Sequence, residues 1–382
     1  MNVAYGGKSW ILGQAQNDTL MMAERFFIFR RFDWLLALFV FLLAGLGLLT
    51  ISTISHDLFY QQLIWNVIGV VLAAMLVLID WRSLMQYRWF VFLIYFIGIA
   101  LLIATFFFAP TIRGTRSWLV FGPVRFQTAE FAKMALIIFF SYFFARRHVG
   151  IGQIRNIIVS FFYFLLPALF VFIQPDMGSM LVMFGIWFGY LIFSGMRMRH
   201  LLTAIMIVAV VVGIGWFSFL KPYQKERIIG LFDPSYDPLG VNYSVNQAKI
   251  AVGSAGFFGK GLYSGTQVQL GFLPEAGTDF IFPAFVEEWG IFGMIILFLL
   301  YLGVFWRLYI IGTLASGNFS KLLLLGFWLL MLIHITFNLG SALGLLPVIG
   351  VPLSFMSYGG SHALIVFLLF GFSEGVASRM IY

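Results

Sequence analysis

The chain lacks cysteine and is poor in charge. None of its 382 residues is Cys, and Asp, Glu, Lys and Arg together make up only 10% of it. Without thiols there can be no disulfide, no thiolate metal site and no cysteine nucleophile. The histidines are scattered without the spacing of a ligand set, so we expect no zinc or haem site; they are His56, His148, His200, His334 and His362.

Apolar residues dominate the composition instead. They make up 62% of the chain, which is far from the composition of a soluble globular protein. A bilayer core about 30 Å thick requires roughly 20 apolar residues per helix. We therefore predict an all-α polytopic membrane protein with about ten transmembrane helices, at 34–54, 60–79, 89–109, 128–145, 157–173, 178–195, 201–219, 282–305, 322–341 and 357–377.

Charge placement predicts the orientation of these helices. The first apolar run begins at Trp34 and no small-residue cleavage site follows it, so it is read as an anchor. The net charge of +8 comes mainly from basic residues in the loops that would be cytoplasmic if the N-terminus is inside. We therefore predict a cytoplasmic tail at 1–33, a membrane domain at 34–382 with both termini cytoplasmic, and no binding of nucleic acid.

Two segments predicted to be external depart from the pattern of short connections. One runs from Ala109 to Lys133, and the other covers about 220–281, between helices 7 and 8. Loops of the second length are uncommon unless they are functional, although a flexible spacer is an alternative. In the first segment Trp118 follows Arg113 and Arg116, so it could form the wall of a ligand site or belong to an interfacial aromatic belt.

Polar residues continue into the predicted fourth helix. Gln127, Glu130 and Lys133 recur every three residues and therefore share one helix face. A simple ion pair between Glu130 and Lys133 is one interpretation. The other is a functional cavity, since ionisable residues in membrane helices usually face the bundle interior.

Three further motifs have both plain and functional interpretations. The stretch "GSAGFFGKG" resembles a P-loop but has Ser254 and Gly261 at two defining positions, which excludes a nucleotide site; Lys260 could still receive a pyrophosphate. In "QPDMGS", Asp176 is most simply a helix cap. The stretch "PVIGVPLSFMSYGGSHAL" predicts irregular backbone, which survives at membrane depth only inside protein or beside a wet cavity.

The stretch "GFLPEAGTDFIFPAFVEEWG" concentrates acidic residues in a chain that has few. Asp279 lies just outside the first turn of the predicted eighth helix, where a cap or a reactive group would lie. Glu287 and Glu288 are roughly 12 Å deeper by helical rise. They are expected to pair, to neutralise or to face a polar cavity. An external acid near cations indicates chemistry on an anionic substrate that arrives from the membrane.

Together these motifs resemble the SEDS family of shape, elongation, division and sporulation proteins, and its RodA-like branch in particular. The resemblance rests on "RSWLVFGPVRFQTAEFAK", "QPDMGS", "FDPSYDPLG", "GTQVQLGFLPEAGTDFIF" and "GLLPVIGVPLSFMSYGGS", and it covers roughly residues 30–380. It implies a peptidoglycan glycosyltransferase in the bacterial cytoplasmic membrane. The implied enzyme polymerises lipid II at the outer face of that membrane, for cell elongation and shape. A class B penicillin-binding protein is the implied partner. Its transmembrane helix is expected to pack on the predicted helices 8 and 9, where helix 9 offers Phe327, Trp328 and Met331 as large contact residues.

The resemblance also implies roles for individual residues. Asp279 of the Thr278-Asp279-Phe280 motif matches the family's catalytic aspartate, and Trp118, Glu130 and Lys133 match its other motif positions. The chain departs from the family at Gly277, where histidine is usual, which removes a proton relay through that position. It also departs at Ser354 and at His362, where the family has proline and a second serine.

The implied reaction requires a base and a set of cations. Asp279 is the candidate base for the attacking sugar hydroxyl. Cations should surround the leaving pyrophosphate, and Arg113, Arg116, Lys133 and Lys260 are available. A divalent cation such as Mg or Mn could share this role, although the sequence shows no closed ligand set.

Two other functional classes stay open at the level of sequence. A lipid flippase or transporter would also contain intramembrane ionisable residues and broken helices, and there Glu287 and Glu288 should matter more than Asp279. A scaffold that recruits a penicillin-binding protein would need no external base.

Overall fold

A computed structural model describes residues 32–111, 115–122, 124–147, 153–196, 199–200, 202–203, 206, 213, 222–233 and 235–380. The described part is helical apart from one hairpin. In chain order its elements are α1 (Trp34–Ile54), α2 (His56–Leu78), α3 (Trp81–Met85), α4 (Arg88–Phe108), β1 (Trp118–Phe121), β2 (Val124–Gln127), α5 (Thr128–Ala145), α6 (Ile154–Ile173), α7 (Met177–Phe193), α8 (Pro222–Phe232), α9 (Tyr243–Ser254), α10 (Thr266–Gln269), α11 (Ile281–Leu314), α12 (Asn318–Ala342) and α13 (Gly360–Ala377).

The prediction of a polytopic helical membrane protein is confirmed. Within the described residues, eight helices are long and apolar enough to cross a membrane, and α7 is a shorter apolar helix. Nine of the ten predicted spans overlap one of these nine helices. The span predicted at 201–219 and the tail predicted at 1–33 lie almost entirely outside the described residues, so the count of ten stays a prediction.

Helices α5 and α13 form the centre of the bundle. Of the apolar windows that define these spans, 83% of the α5 window and 89% of the α13 window are buried within the protein. Helix α5 packs against α4, α7, α12 and α13, and α13 packs closely on α2. Small residues permit this close approach: a Cβ at Gly371 of α13 would lie 2.7 Å from the Ala73 Cα on α2. Polar residues of α5 and α13 are therefore shielded from lipid on nearly all sides.

The hairpin β1–β2 was not predicted from the sequence. The strands are antiparallel, and Trp118 pairs with Gln127. The hairpin is held by its last residue, because the Gln127 amide donates to the Ser361 hydroxyl of α13 at 2.8 Å. The Gln127 side chain also donates to Asp176 at 3.0 Å. Asp176 in turn caps α7 by accepting from the Ser179 amide at 3.0 Å, as predicted.

Helix α11 is longer than the predicted span 282–305 and is broken within the membrane domain. Gly290 has φ 69° and ψ −164°, so the helical hydrogen bonds stop there. The segment 256–261 replaces them. The amides of Lys260 and Gly261 donate to the carbonyls of Glu287 and Glu288 at 2.9 and 3.0 Å, and the amides of residues 291–292 donate to the carbonyls of residues 256–257 at 3.1 and 2.9 Å. The break thus leaves these backbone groups satisfied, as an apolar setting requires.

We predict that Gly290→Ala destabilises the protein. The conformation of Gly290 is essentially restricted to glycine and costs other residues on the order of 1–3 kcal/mol, and a Cβ there would also collide with the Gly259 nitrogen. The measurement is the thermal unfolding midpoint of the purified protein in detergent. The control is Gly312→Ala in the same helix, where the nearest atom to a new Cβ is Leu324 Cδ1 at 3.9 Å. Equal midpoints for the two variants would contradict the proposed role of the break.

Candidate functional site

Asp279 lies on a tight turn that leads into α11. The amides of Thr278 and Phe280 both donate to the carbonyl of Glu275, at 3.1 and 3.2 Å, and close this turn. Glu275 itself has a positive φ of 52°. The side chain of Asp279 is half-buried, whereas the residue that follows it is buried. The turn therefore presents one carboxylate at the mouth of the helix bundle.

Each backbone carbonyl of residues 277–279 accepts a hydrogen bond from a different donor. The donors are, in order, the Tyr358 amide at 2.7 Å, the Ser357 hydroxyl at 2.6 Å and the Asn338 side-chain amide at 3.0 Å. Ser357 and Tyr358 belong to the irregular segment 343–359 between α12 and α13, which we call the crossing segment. We call these three hydrogen bonds the carbonyl clamp. The clamp fixes the backbone that carries Asp279 and leaves its carboxylate outside the clamp.

Asn338 holds the crossing segment as well as the turn. Its side-chain amide donates to the Val351 carbonyl at 3.0 Å in addition to the Asp279 carbonyl. The adjacent Gly350 has a positive φ of 71°, and a Cβ there would lie 3.6 Å from Asp279 Oδ2. The backbone of the crossing segment therefore passes directly beside the carboxylate.

A buried polar cluster lies beneath the crossing segment. Lys133 Nζ donates to Glu130 Oε1 at 2.6 Å, so the predicted ion pair is present. His362 Nδ1 lies 3.0 Å from the other oxygen of Glu130, and His362 Nε2 lies 3.2 Å from the Ser354 hydroxyl. The ring of His334 stacks on His362 with centroids 4.5 Å apart. Each of these five side chains is at least 96% buried.

The cluster supports the crossing segment from below. His334 Nδ1 lies 2.9 Å from the Pro352 carbonyl, and the Tyr301 hydroxyl donates to the Ser354 carbonyl at 2.7 Å. A continuous set of contacts therefore runs from Lys133 through the crossing segment to the turn of Asp279. Glu130 and Lys133 act in this set from inside the protein, since neither is more than 2% exposed.

The hairpin places further predicted site residues at the surface. Trp118 is half-buried and Arg116 is exposed. Arg116 Nε donates to the Thr111 hydroxyl at 3.0 Å, and its backbone amide donates to the Gln174 carbonyl. Arg113 lies outside the described residues. Through Gln127 and Ser361 this hairpin is attached to the start of α13, directly after the crossing segment.

Lys260 contacts a different carboxylate from Asp279. Its ammonium donates to Glu287 at 2.7 Å and to Thr266 at 2.8 Å. Glu287 is fully buried and also accepts from the Gln267 amide. Glu288 accepts from the Tyr263 amide at 3.2 Å. Of the three alternatives expected for these deep carboxylates, pairing holds for Glu287, whereas Glu288 accepts a backbone hydrogen bond. A role of Lys260 at a pyrophosphate stays a prediction.

Several site residues were missed in the sequence. Asn338, His334 and His362 were the detectable ones, because polar side chains within apolar helices usually mark a functional interior. Tyr358 and Arg125 gave no such signal. Burial raises the pKa of Tyr358, and the positive charge of Arg125 opposes that rise. Tyr358 is held by Gln61, to which its hydroxyl donates at 2.5 Å.

The described residues contain no group of three or more His, Asp or Glu side chains with the spacing to hold a metal ion. The structure therefore offers a divalent cation no ready-made ligand set of protein side chains among those residues.

Comparisons with known proteins give consistent results. The chain matches the FtsW, RodA and SpoVE family of cell cycle proteins over residues 25–380. It is 38% identical over 278 residues to the peptidoglycan glycosyltransferase MrdB of Escherichia coli, which covers 73% of this chain and 75% of the relative. It is 34% identical over 363 residues to MrdB of Helicobacter pylori, which covers 93% and 92%.

Solved structures have the same fold. The crystal structure of RodA of Thermus thermophilus matches with a TM-score of 0.68 and 25% identity, covering 92% of this chain and 98% of the other. A chain of the structure described as "Structural coordination of polymerization and crosslinking by a peptidoglycan synthase complex" matches with a TM-score of 0.77 and 27% identity, covering 91% and 97%. With sequence and fold in agreement over nearly its whole length, this chain belongs to the FtsW, RodA and SpoVE family of cell cycle proteins.

Proposed function

We propose that this protein is a peptidoglycan glycosyltransferase that polymerises lipid II, with Asp279 as its general base. The observation that carries the proposal is the carbonyl clamp, which fixes the turn of Asp279 while its carboxylate stays half-buried at the mouth of the bundle. A base must be held within hydrogen-bond reach of the proton that it removes. The relatives named above as peptidoglycan glycosyltransferases support the reaction class.

The proposed chemistry is one inverting displacement. The 4-hydroxyl of the acceptor saccharide attacks the anomeric carbon of the donor, and its proton passes to the Asp279 carboxylate. A new glycosidic C–O bond forms as the bond between the anomeric carbon and the donor diphosphate breaks. Such a step requires no enzyme nucleophile, and the diphosphate leaves with the electron pair. Cations at the site would stabilise the developing charge.

Other side chains have supporting roles in this proposal. Thr278 precedes the base, and its carbonyl is held by Ser357. Trp118, Gln127 and Arg116 would form the outer wall on the hairpin side, and Arg113 stays a predicted site residue outside the described residues. The site would face the extracytoplasmic side, with both termini in the cytoplasm, so that the product is released where the cell wall is built.

A transport function is the second candidate, because α11 is broken beside two carboxylates. Broken helices with ionisable residues near the membrane centre are typical of transporters. In this structure, however, Glu287 is paired with Lys260 and the break is filled by the segment 256–261. These contacts favour a structural role for the break.

We predict that Asp279→Asn abolishes polymerisation and leaves folding intact. The substitution keeps the size of the side chain and removes its basicity, and loss of a general base costs roughly 10²–10⁴-fold. The measurement is the yield of glycan strands from lipid II on a gel. Glu275→Gln, in the same turn, is the control and should retain activity.

The two alternative functions predict other results. If the protein were a transporter, Glu287→Gln would abolish its function and Asp279→Asn would not. If it were a scaffold, even the unsubstituted protein would form no glycan strands.

We predict that Lys133→Met and Glu130→Gln are each destabilising and that the double variant recovers stability. Removal of one partner from a buried pair costs about 3–5 kcal/mol, because a charge is left uncompensated. We expect activity to stay low in the double variant, because the charged partner of His362, and through it the support of the crossing segment beside Asp279, is lost. The measurements are the unfolding midpoint and strand yield. If the double variant recovered both the unfolding midpoint and the strand yield, the role of Glu130 and Lys133 would be that of a structural ion pair only.

The proposed partner is a class B penicillin-binding protein, which would crosslink the peptides of the new strands. The partner's helix was expected on predicted helices 8 and 9, which are α11 and α12, with Phe327, Trp328 and Met331 of α12 as contact residues; for Phe327 and Met331 this is wrong. Phe327 and Met331 are buried in the core, and Trp328 packs against Phe305 with ring centroids 5.1 Å apart. The exposed apolar stripe lies on α11 instead, at Ile295, Leu299, Leu302 and Trp306.

We predict that this α11 stripe contacts the partner's transmembrane helix, since packing between helices in lipid depends on matched shape. Single cysteines at 295, 299, 302 and 306, in a chain with no native cysteine, should crosslink to a co-expressed penicillin-binding protein that carries a cysteine in its transmembrane helix. The control set is the exposed face of α2, at Ile64, Val67, Val71 and Met75. Crosslinks that form only from the α2 set would contradict the placement.

A further inference from the structure

Arg125 of β2 was not among the cations proposed from the sequence for the leaving diphosphate. Of those that were, Lys133 is paired with Glu130 in the interior. Lys260 is paired with Glu287. Arg125 is exposed, and among the described residues no carboxylate oxygen lies within 4.0 Å of its guanidinium. Its positive charge is therefore not taken up by an acidic side chain of the described part of the chain.

The backbone of Arg125 is fixed to the start of α13. The Ser361 hydroxyl accepts from the Gln127 amide at 2.8 Å and donates to the Arg125 carbonyl at 3.4 Å. On the other side Arg125 is paired with Val120 of β1. The guanidinium therefore extends from a strand that is held on both sides.

Tyr358 connects this strand with the turn of Asp279. The positive charge of Arg125 acts on the phenol of Tyr358, where it opposes the rise in pKa that burial causes. The amide of Tyr358 donates to the Gly277 carbonyl at 2.7 Å, as one bond of the carbonyl clamp. Its hydroxyl donates to Gln61 of α2 at 2.5 Å. Arg125 thus lies beside a residue that is itself bonded to the turn of Asp279.

The geometry of an in-line displacement sets where the cation for the leaving group must lie. The attacking hydroxyl lies about 3 Å from the base and roughly 3–3.5 Å from the anomeric carbon. The diphosphate leaves on the far side of that carbon. The cation must therefore lie near the turn of Asp279 without being paired with its carboxylate. Arg125 meets both conditions, and a guanidinium can donate two parallel hydrogen bonds to a phosphate.

We propose that Arg125 binds the diphosphate of the lipid-linked donor and stabilises the charge that develops on it during glycan polymerisation. The proposal rests on the proposed glycosyltransferase function. As the new glycosidic bond forms, the bond between the anomeric carbon and the diphosphate oxygen breaks and its electron pair goes to the diphosphate. The hydroxyl proton goes to Asp279. Because the charge on the diphosphate grows during this step, Arg125 contributes more to turnover than to binding of the donor.

The test uses the full chain in nanodiscs and measures binding separately from turnover. Arg125→Gln removes the charge, and Arg125→Lys keeps it. Lys249→Gln is the matched control, because Lys249 is another exposed cation in a segment predicted to be external. Binding of undecaprenyl diphosphate and of undecaprenyl monophosphate is measured in the Asp279→Asn background, and strand synthesis is measured with Asp279 intact. Unfolding midpoints identify a variant that misfolds, and Arg125→Lys keeps the test valid if Arg125→Gln unfolds.

We expect Arg125→Gln to lower kcat by about 10²–10³-fold, as the loss of one donor to a developing anion does, with a smaller change in KM. Its affinity for undecaprenyl diphosphate should fall by about ten- to a hundredfold, as the loss of charge-assisted hydrogen bonds predicts. Affinity for the monophosphate should fall less, so that the preference of the parent for the diphosphate narrows. A purely structural role of Arg125 would weaken binding of both ligands alike. Arg125→Lys should fall between the parent and Arg125→Gln, because lysine keeps the charge but not the paired donors, and Lys249→Gln should match the parent.

Three results would overturn the proposal. They are unchanged kcat and diphosphate affinity in Arg125→Gln, an equal loss in Lys249→Gln, and equal displacement of undecaprenyl diphosphate by phosphatidylglycerol, which would make Arg125 a contact of lipid headgroups. Strand synthesis by the parent together with an unchanged Arg125→Gln variant would reject the role of Arg125 and keep the glycosyltransferase. Absence of strand synthesis by the parent, with the predicted loss of diphosphate binding in Arg125→Gln, would reject the glycosyltransferase and keep the diphosphate site.

Discussion

The side-chain amide of Asn338 holds together two segments of irregular backbone inside an apolar bundle. It donates to the Asp279 carbonyl and to the Val351 carbonyl, each at 3.0 Å. A buried carbonyl without a donor costs about 1–3 kcal/mol, so one amide that satisfies two segments also fixes their separation. Ser357 and Tyr358 likewise donate to the carbonyls of Thr278 and Gly277. This arrangement therefore holds the backbone that carries the Asp279 carboxylate.

The carbonyl clamp requires a rigid support, and the buried polar cluster around Glu130 provides it. A buried ion pair gains little net stability, because desolvation offsets its attraction. Its geometry is nevertheless strict, since each lone pair and each proton needs a partner in a medium of low dielectric constant. Glu130 meets this demand with Lys133 on one oxygen and His362 on the other. The pair is therefore better suited to fix α5 against α13 than to stabilise the fold.

The sequence predicted the helices well because hydrophobic length alone sets them. It also predicted the capping role of Asp176 and the irregular backbone of the crossing segment, and it gave pairing, which holds for Glu287, as one of three alternatives for the deep carboxylates. It could not predict the break at Gly290, because the hydrogen bonds that replace the helix come from residues 256–261, about 30 positions earlier. The stacking of His334 on His362 is likewise a contact between two helices.

The predicted site residues show the same difference between local motifs and contacts that join distant segments. Trp118, Gln127, Glu130 and Asp279 were proposed as site residues from local motifs, and in the structure Gln127 and Glu130 meet partners from other helices. Lys260 was assigned to substrate from its neighbours in sequence, whereas its partner Glu287 lies 27 positions away. The outward face of α12 was misjudged for a related reason. Large apolar residues suit lipid, a partner helix and the core equally, and only packing decides between them.

One continuous stretch of chain connects the turn of Asp279 with the hairpin. Gly350 lies beside Asp279, and residues 357–358 hold the turn of Asp279. Ser361 then accepts from the Gln127 amide of the hairpin. Because this stretch is hydrogen-bonded both to the turn and to the hairpin, a single backbone sets the spacing between the proposed base and the hairpin. A polymerase that must align two lipid-linked saccharides on either side of one carboxylate requires a fixed spacing of this kind.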